Sequence, residues 1–166
     1  MLVGDNYGIK KVTNQNLWDV VNLKVKSDQK EYVADNATSL LEAYATQNEG
    51  KKVETFAIYE KDNLVGFAMI NFNVYHWEGA PKVARNNYCL WRFMIDQKYQ
   101  DQGLGVDALA VLIKYIKTMP LGNGNKLYLS YVPSNFAAEQ LYKAAGFVPN
   151  GEKIEEEIVL VLDLEK

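Results

Sequence analysis

The sequence predicts an α+β fold, a mixed and mostly antiparallel sheet flanked by helices, on three observations. Two strand-like runs, 51–60 and 64–74, are separated only by Lys61, Asp62 and Asn63, the turn composition of an antiparallel hairpin. A β-branched and aromatic run, Tyr88 to Ile95, leads through a glycine-bearing turn into apolar residues at helical spacing, Val106, Leu109, Ala110, Ile113 and Ile116. From there strand and helix alternate to the end, with no repeat, low-complexity tract or linker. With 166 residues, 48% of them hydrophobic, the chain is expected to form one domain over residues 1–166 with a proper core.

The elements follow in order. Tyr7, Ile9 and Val12 predict a first strand ending at Thr13, where Thr13 or Asn14 can cap a helix carrying Leu17, Val20, Val21 and, at its end, Val25. A cap at Asn36 or Thr38 opens a second helix, whose apolar side reads as Leu40, Leu41, Tyr44 and Ala45. After the hairpin, Gly79 to Lys82 reads as a loop before the central strand. The helix beyond the glycine turn should run to about Thr118, where Pro120, Gly122 and Gly124 stop it. A strand over 127–132 is followed by a turn and cap at Pro133, Ser134 and Asn135, then by a helix with Ala138, Leu141, Tyr142 and Ala145 that ends at Gly146. Phe147 and Val148, a turn at 149–151 and a strand over 154–164 close the chain.

The turn from Gln100 to Gly105 is where chemistry is expected. Gly103 and Gly105 remove two side chains at a helix start, so that backbone N–H groups and the helix dipole can face an anion. Glycine there is equally suited to a positive φ or to close packing, and the hexapeptide alone does not choose. No Gly-Lys-Ser/Thr triplet follows and there is no third glycine, which argues against a nucleotide-hydrolysing loop and a dinucleotide fingerprint.

Composition excludes other classes. A net charge of −3 without a dense basic run argues against nucleic-acid binding. No apolar run reaches membrane-spanning length, and Met1 to Lys11 has no secretory pattern. Cys89 is the only cysteine and sits in an apolar strand, which suits a buried thiol in a reducing cytoplasm. His76 is the only histidine and no metal site is expected.

Three pieces in fixed order carry a resemblance: the strand with Phe93, Met94 and Ile95, the QDQGLG turn, and the segment from Asn135 through Ala138, Leu141 and Tyr142 to Gly146 and Phe147. Together they resemble the GCN5-related N-acetyltransferase (GNAT) family, whose cofactor motif is Q/R-x-x-G-x-G/A and whose later helix reads N-x-x-A-x-x-L-Y before G-F. The resemblance implies a single GNAT-like domain that transfers the acetyl group of acetyl-CoA to a primary amine. Gln100, Asp101, Gln102, Gly103, Leu104, Gly105 and Val106 would hold the pyrophosphate through backbone N–H groups. Phe93 and Ile95 would offer main-chain groups to the pantetheine arm, Asn135 would bond it and Ala138 would leave it room. Tyr142 would protonate the departing thiolate, whereas by periodicity alone it is a packing residue beside Leu141 and Ala145.

Two departures stand out. Asp101 and Gln102 replace the glycine and basic residue frequent in relatives, and Asp107 replaces a lysine or arginine in the first helical turn, which offsets attraction for phosphate. Leu90, Trp91 and Arg92 stand where some polyamine-acetylating relatives carry a glutamate, so no side-chain base is identified. The run from Tyr32 to Tyr44 with Leu90 to Phe93 resembles the bacterial spermine and spermidine acetyltransferase branch. On that likeness Asp35, Glu42 and Glu78 would receive a polycation and Tyr75, Trp77 or Trp91 would line its methylene stem; as plain chemistry, these carboxylates equally suit a solvated helix face. Peptide N-termini and aminoglycosides are alternative substrates, a non-catalytic acyl-CoA sensor is an alternative role, and a homodimer is compatible with the sequence.

Overall fold

The computed structural model describes residues 2–3 and 6–165. The strands are β1 (Leu2–Val3), β2 (Tyr7–Lys11), β3 (Lys52–Glu60), β4 (Asn63–Phe72), β5 (Tyr88–Ile95), β6 (Lys126–Tyr131), β7 (Val148–Ile154) and β8 (Glu157–Asp163). The helices are α1 (Leu17–Asn22), α2 (Asn36–Asn48), α3 (Leu104–Ile116) and α4 (Phe136–Ala144). All strands join one sheet in the order β1-β2-β3-β4-β5-β6-β8-β7. Every pairing is antiparallel except β5 with β6, so the sheet is mixed and mostly antiparallel as predicted.

The main core lies between the sheet and α3. Leu109, Leu112 and Ile116 pack there against Phe56, Ile70, Tyr88 and Leu127, which follows from the helical spacing of the apolar run after the glycine turn. A smaller core on the opposite face joins Val20 of α1 and Ala43 of α2 to Val53, Phe67, Met69 and Met94. The central strand thus packs on both faces, as its apolar run, interrupted only by Arg92, suggests.

Several expectations are corrected. In α2 the buried side is Asn36, Ser39 and Ala43, while Leu41 and Tyr44 are 69% and 65% exposed and Ala45 is exposed. The rotation is fixed by polar contacts that periodicity does not weigh. Asp35 caps the helix by accepting from the Thr38 N–H at 2.7 Å, and the buried Asn36 amide donates to the Val20 carbonyl at 2.8 Å. α1 ends at Asn22 and leaves Val25 outside, and the cap position of α1 is Asn16. The expected turn at 149–151 lies inside β7, at a register shift between Pro149 and Lys153 on an edge strand, where proline is tolerated. The two-residue β1 and short 3₁₀ turns at Ser27–Gln29 and Lys82–Ala84 have no counterpart in the sequence reading.

Gly66 shows what holds β4 against β5. A Cβ at this position would lie 2.4 Å from the Met94 carbonyl oxygen and 3.0 Å from the Ile95 Cδ1, so only glycine permits this approach. Gly66→Ala should therefore destabilise the fold by about 1–3 kcal/mol. Urea denaturation should show a lower midpoint at unchanged slope; equal midpoints would mean that β5 yields freely.

Candidate active site

The β5–β6 pair shares only two rungs, Tyr88 with Leu127 and Cys89 with Tyr128. β4 holds β5 along its whole length, while β8 holds β6, so the two strands diverge from Leu90 onward. Backbone groups along that edge of β5 have no sheet partner, and they face a cleft of about 1110 Å³. A register shift in β4–β5 leaves Trp91 without a rung, because Met69 pairs with Arg92 and Ile70 with Leu90. That bulge turns two consecutive side chains, Trp91 and Arg92, toward the α2 face, whereas Phe93 and Ile95 pack on the α3 face.

The QDQGLG turn closes one end of the cleft. Gly103 occupies the N-cap of α3 with φ 78°, a left-handed conformation that aims the first N–H groups of the helix outward. A Cβ on Gly105 would meet only ordinary contacts, with Leu141 of α4 at 3.6 Å and Ile95 at 3.9 Å. This is a cradle that an anion can enter, with the dipole of a 13-residue helix behind it.

Of the residues expected at the cofactor, Phe93, Ile95, Gln100, Asp101, Gly103, Leu104, Gly105, Val106, Asn135 and Ala138 all line the cleft, and Gln102 does not. The Gln102 amide donates to the Lys98 carbonyl. The Gln100 amide is taken up internally, donating to the Ile95 carbonyl at 2.9 Å and to the Gln29 side chain at 2.8 Å, which ties the turn to the loop after α1. Asp101 is ion-paired with Lys26 from that loop, so its charge is compensated locally. Asp107 acts on Tyr7, whose phenol is pushed up by burial first and then by Glu60 and Asp107. Asn135 caps α4 through its side-chain oxygen, which accepts from the Ala138 N–H at 3.2 Å; its amide nitrogen has no partner among the described residues.

Tyr142 lines the same cleft from α4, on the α3 side of the sheet. Its ring meets Phe147 edge-on at 5.8 Å, and among the described residues its hydroxyl has no hydrogen-bond partner. Burial raises its pKa above the ordinary phenol value, so the proton stays on oxygen at neutral pH. No residue of α4 is fully buried, and the inward side of the helix faces the cleft.

The residues expected at the substrate are scattered. Trp91 lines the cleft, but Asp35, Glu42 and Glu78 do not. Asp35 is the α2 cap, its carboxyl held below the usual range by the Thr38 N–H first of all. Glu42 is paired with Arg92 at 2.8 Å, and Glu78 is exposed in the loop before β5. The cleft wall holds polar groups that sequence reading missed. Asn71 of β4 is 6% exposed and, among the described residues, its side-chain oxygen and the Arg92 Nε have no partner; Glu157 of β8 accepts from the Ser130 hydroxyl. No motif marks these residues, which meet only across strand pairings.

The model of the Acetyltransferase (GNAT) family matches residues 18–147. The chain belongs to this family. A spermine/spermidine N(1)-acetyltransferase of Bacillus subtilis strain 168 is 32% identical over 146 residues, 87% of this chain and 89% of that protein. Solved structures share the fold at lower identity. An aminoglycoside acetyltransferase crystallised with coenzyme A superposes with TM-score 0.75 at 16% identity, covering 95% of this chain and 94% of that one. A spermidine N-acetyltransferase from Vibrio cholerae, in complex with coenzyme A and spermine, gives 0.69 at 18% identity, with 98% of each chain covered. This GNAT domain is an acetyl-CoA-dependent N-acetyltransferase, and acetyl-CoA is its co-substrate. No helix of the described residues is long and apolar enough to cross a membrane.

The cradle makes a prediction for this acetyltransferase. Gly105→Ala should keep acetyl-CoA affinity within a few-fold, since its Cβ meets Leu141 at an ordinary contact distance, while Gly105→Glu should abolish binding in a folded protein. Calorimetry decides, and unchanged affinity in Gly105→Glu would put the cofactor elsewhere.

Proposed function

We propose that this acetyltransferase acts on a primary amine of a polyamine such as spermidine or spermine, by direct attack on the thioester with Tyr142 as general acid. The observation that carries the mechanism is Tyr142, which lines the cleft and whose hydroxyl has no hydrogen-bond partner among the described residues. Acetyl-CoA supplies an acyl carbon with a thiolate leaving group. The chain supplies backbone donors at Gly103 to Val106 for its phosphates, the open edge of β5 and the Asn135 amide for its arm, and the Tyr142 proton for the sulfur. The low dielectric that keeps the phenol protonated also penalises a free thiolate, which favours proton transfer as the carbon–sulfur bond breaks.

The polyamine assignment draws on the Bacillus subtilis relative and on the chemistry of the opposite wall. Trp77 and Trp91 line it with aromatic faces suited to methylene stems and ammonium groups, and the Asn71 oxygen is a buried acceptor without a donor. An ammonium group brings the donor that this acceptor lacks. Glu42 contributes indirectly by neutralising Arg92, whose charge would otherwise repel a polycation. With acetyl-CoA as donor and Cys89 a free thiol, the activity is assigned to the cytoplasm.

Tyr142→Phe should lower the acetyl-transfer rate constant by roughly 10²- to 10⁴-fold, with acetyl-CoA affinity nearly unchanged. Because burial raises the Tyr142 pKa, the wild-type rate should climb with pH as the amine loses its proton, and loss of the general acid should set in only above pH about 10. Full turnover of Tyr142→Phe where chemistry is rate-limiting would reduce the residue to packing.

In a thiol-release panel of polyamines, aminoglycosides and peptides, a polyamine should give the highest kcat/KM. Glu42→Gln should raise the polyamine KM several-fold with kcat little changed, and salt should shrink that difference. A panel led by peptides or aminoglycosides would reassign the substrate and leave acetyl transfer intact.

A further inference from the structure

We propose that Glu157 is the group that receives the attacking nitrogen and takes its proton, with the Ser130 hydroxyl holding the carboxylate in place. The inference rests on amine acetylation at this cleft, whichever amine is used.

Its placement follows from strand register. β5 and β6 part after Cys89 and Tyr128, and the bulge takes Trp91 out of the rung count. Counted on past those two rungs with Trp91 left out, Phe93 would come level with Tyr131, and Met94 with Val132. Tyr131 faces Ile158 of β8, so Glu157 stands one rung further on, level with Val132 and Met94. Glu157 is therefore at the height where the open edge of β5 passes Phe93 and Met94.

The face follows from alternation. Phe93 and Tyr131 belong to the core on the α3 side, the side from which Tyr142 lines the cleft. Val159 and Val161 belong to the cluster on the other face, together with Tyr128, and Glu157 and Ser130 share their parity. A thioester lying in the split between β5 and β6 would thus have Tyr142 on one side and Glu157 on the other. Attack opposite the leaving sulfur's proton donor needs a proton acceptor on the second side.

Alternatives on the cleft wall are excluded by position. Its carboxylates among the described residues are Glu31, Asp101 and Glu157. Asp101 is bound to Lys26 at the phosphate end, and Glu31 is exposed in the loop between α1 and α2. One Glu157 oxygen accepts from Ser130, and the other has no partner among the described residues, so it can accept from an ammonium.

The charged and titratable groups on this face leave that role open to Glu157. Arg92 of β5 is held by Glu42, and the Glu152 carboxylate of β7 accepts from the Lys82 and Val83 N–H groups. The Cys89 thiol is pushed up to about 12 by burial, the Tyr128 phenol is also raised by burial, and His76 is exposed beside Tyr75.

The step balances as follows. Glu157 takes one proton from the entering ammonium, and the freed lone pair forms the bond to the thioester carbon. The carbon–sulfur pair leaves on sulfur, which takes the Tyr142 proton. A second proton then passes from nitrogen through water to the Tyr142 oxygen, and Glu157 returns its own to solvent. Ammonium and thioester become amide, thiol and one released proton.

The test uses the full chain and whichever amine the wild type acetylates fastest. Glu157→Gln keeps an acceptor for Ser130 and removes the basic oxygen. Its kcat near pH 7 should fall roughly 10²- to 10⁴-fold, the deficit should shrink toward pH 10 as free amine becomes abundant, and acetyl-CoA affinity should be unchanged. Ser130→Ala should give a smaller loss of the same pH dependence. Full turnover in Glu157→Gln, a deficit that is the same at every pH, or an effect confined to KM would each overturn the proposal. A Glu157→Gln defect with a non-polyamine substrate would uphold it while the polyamine assignment falls, and absence of transfer by the wild type to any amine would remove both.

Discussion

The divergence of β5 from β6 is the constraint on which the rest of the structure depends. Two parallel rungs hold the strands together and then release them, because β4 and β8 anchor them in separate antiparallel ladders. The released edge of β5 exposes backbone donors and acceptors inside a cleft, where they are satisfied by water or by a ligand with amide groups of its own. α3 and α4 open on one side of this split, so their N-terminal N–H groups, Asn135 and Tyr142 converge on it.

The glycine turn offers an anion backbone groups and a helix dipole more than cationic side chains. The turn contributes an acidic side chain at Asp101 and no basic one at Gln102, and Lys26 offsets the Asp101 charge from the loop after α1. That loop is itself pinned. The buried Asp96 carboxylate accepts from the Lys24 N–H at 2.8 Å, the Gln97 N–H donates to the Lys24 carbonyl at 2.7 Å, and Gln100 reaches Gln29. An exposed ion pair such as Lys26 with Asp101 contributes little to stability, about 0–1 kcal/mol, so its consequence is for the local potential seen by a phosphate.

The two faces of the split have different chemistry. The α3 side is apolar around a phenol that keeps its proton. The opposite side is more polar and carries Trp91, the Arg92–Glu42 pair, the Asn71 oxygen and Glu157. The bulge at Trp91 joins them, since without the extra residue Arg92 or Phe93 would change face.

The sequence by itself determined the α+β class, the hairpin of β3 and β4, the central strand, the glycine turn into α3 and the motif around Asn135 and Tyr142. These rest on local causes: alternation, helical spacing, and residues that a turn or cap requires. The rotation of α2 was not legible, because Asp35 and Asn36 fix it through polar contacts while Leu41 and Tyr44 remain exposed. Nor was the polar wall of the cleft opposite Tyr142. The sequence suggested Asp35, Glu42 and Glu78 because they are acidic and near a familiar-looking run, whereas only the sheet brings Asn71, Arg92, Ser130 and Glu157 to one wall. Those residues come from four strands far apart in the chain, and the register that aligns them depends on a bulge and on two rungs of parallel pairing. Such register is a property of the assembled sheet, which no local pattern encodes.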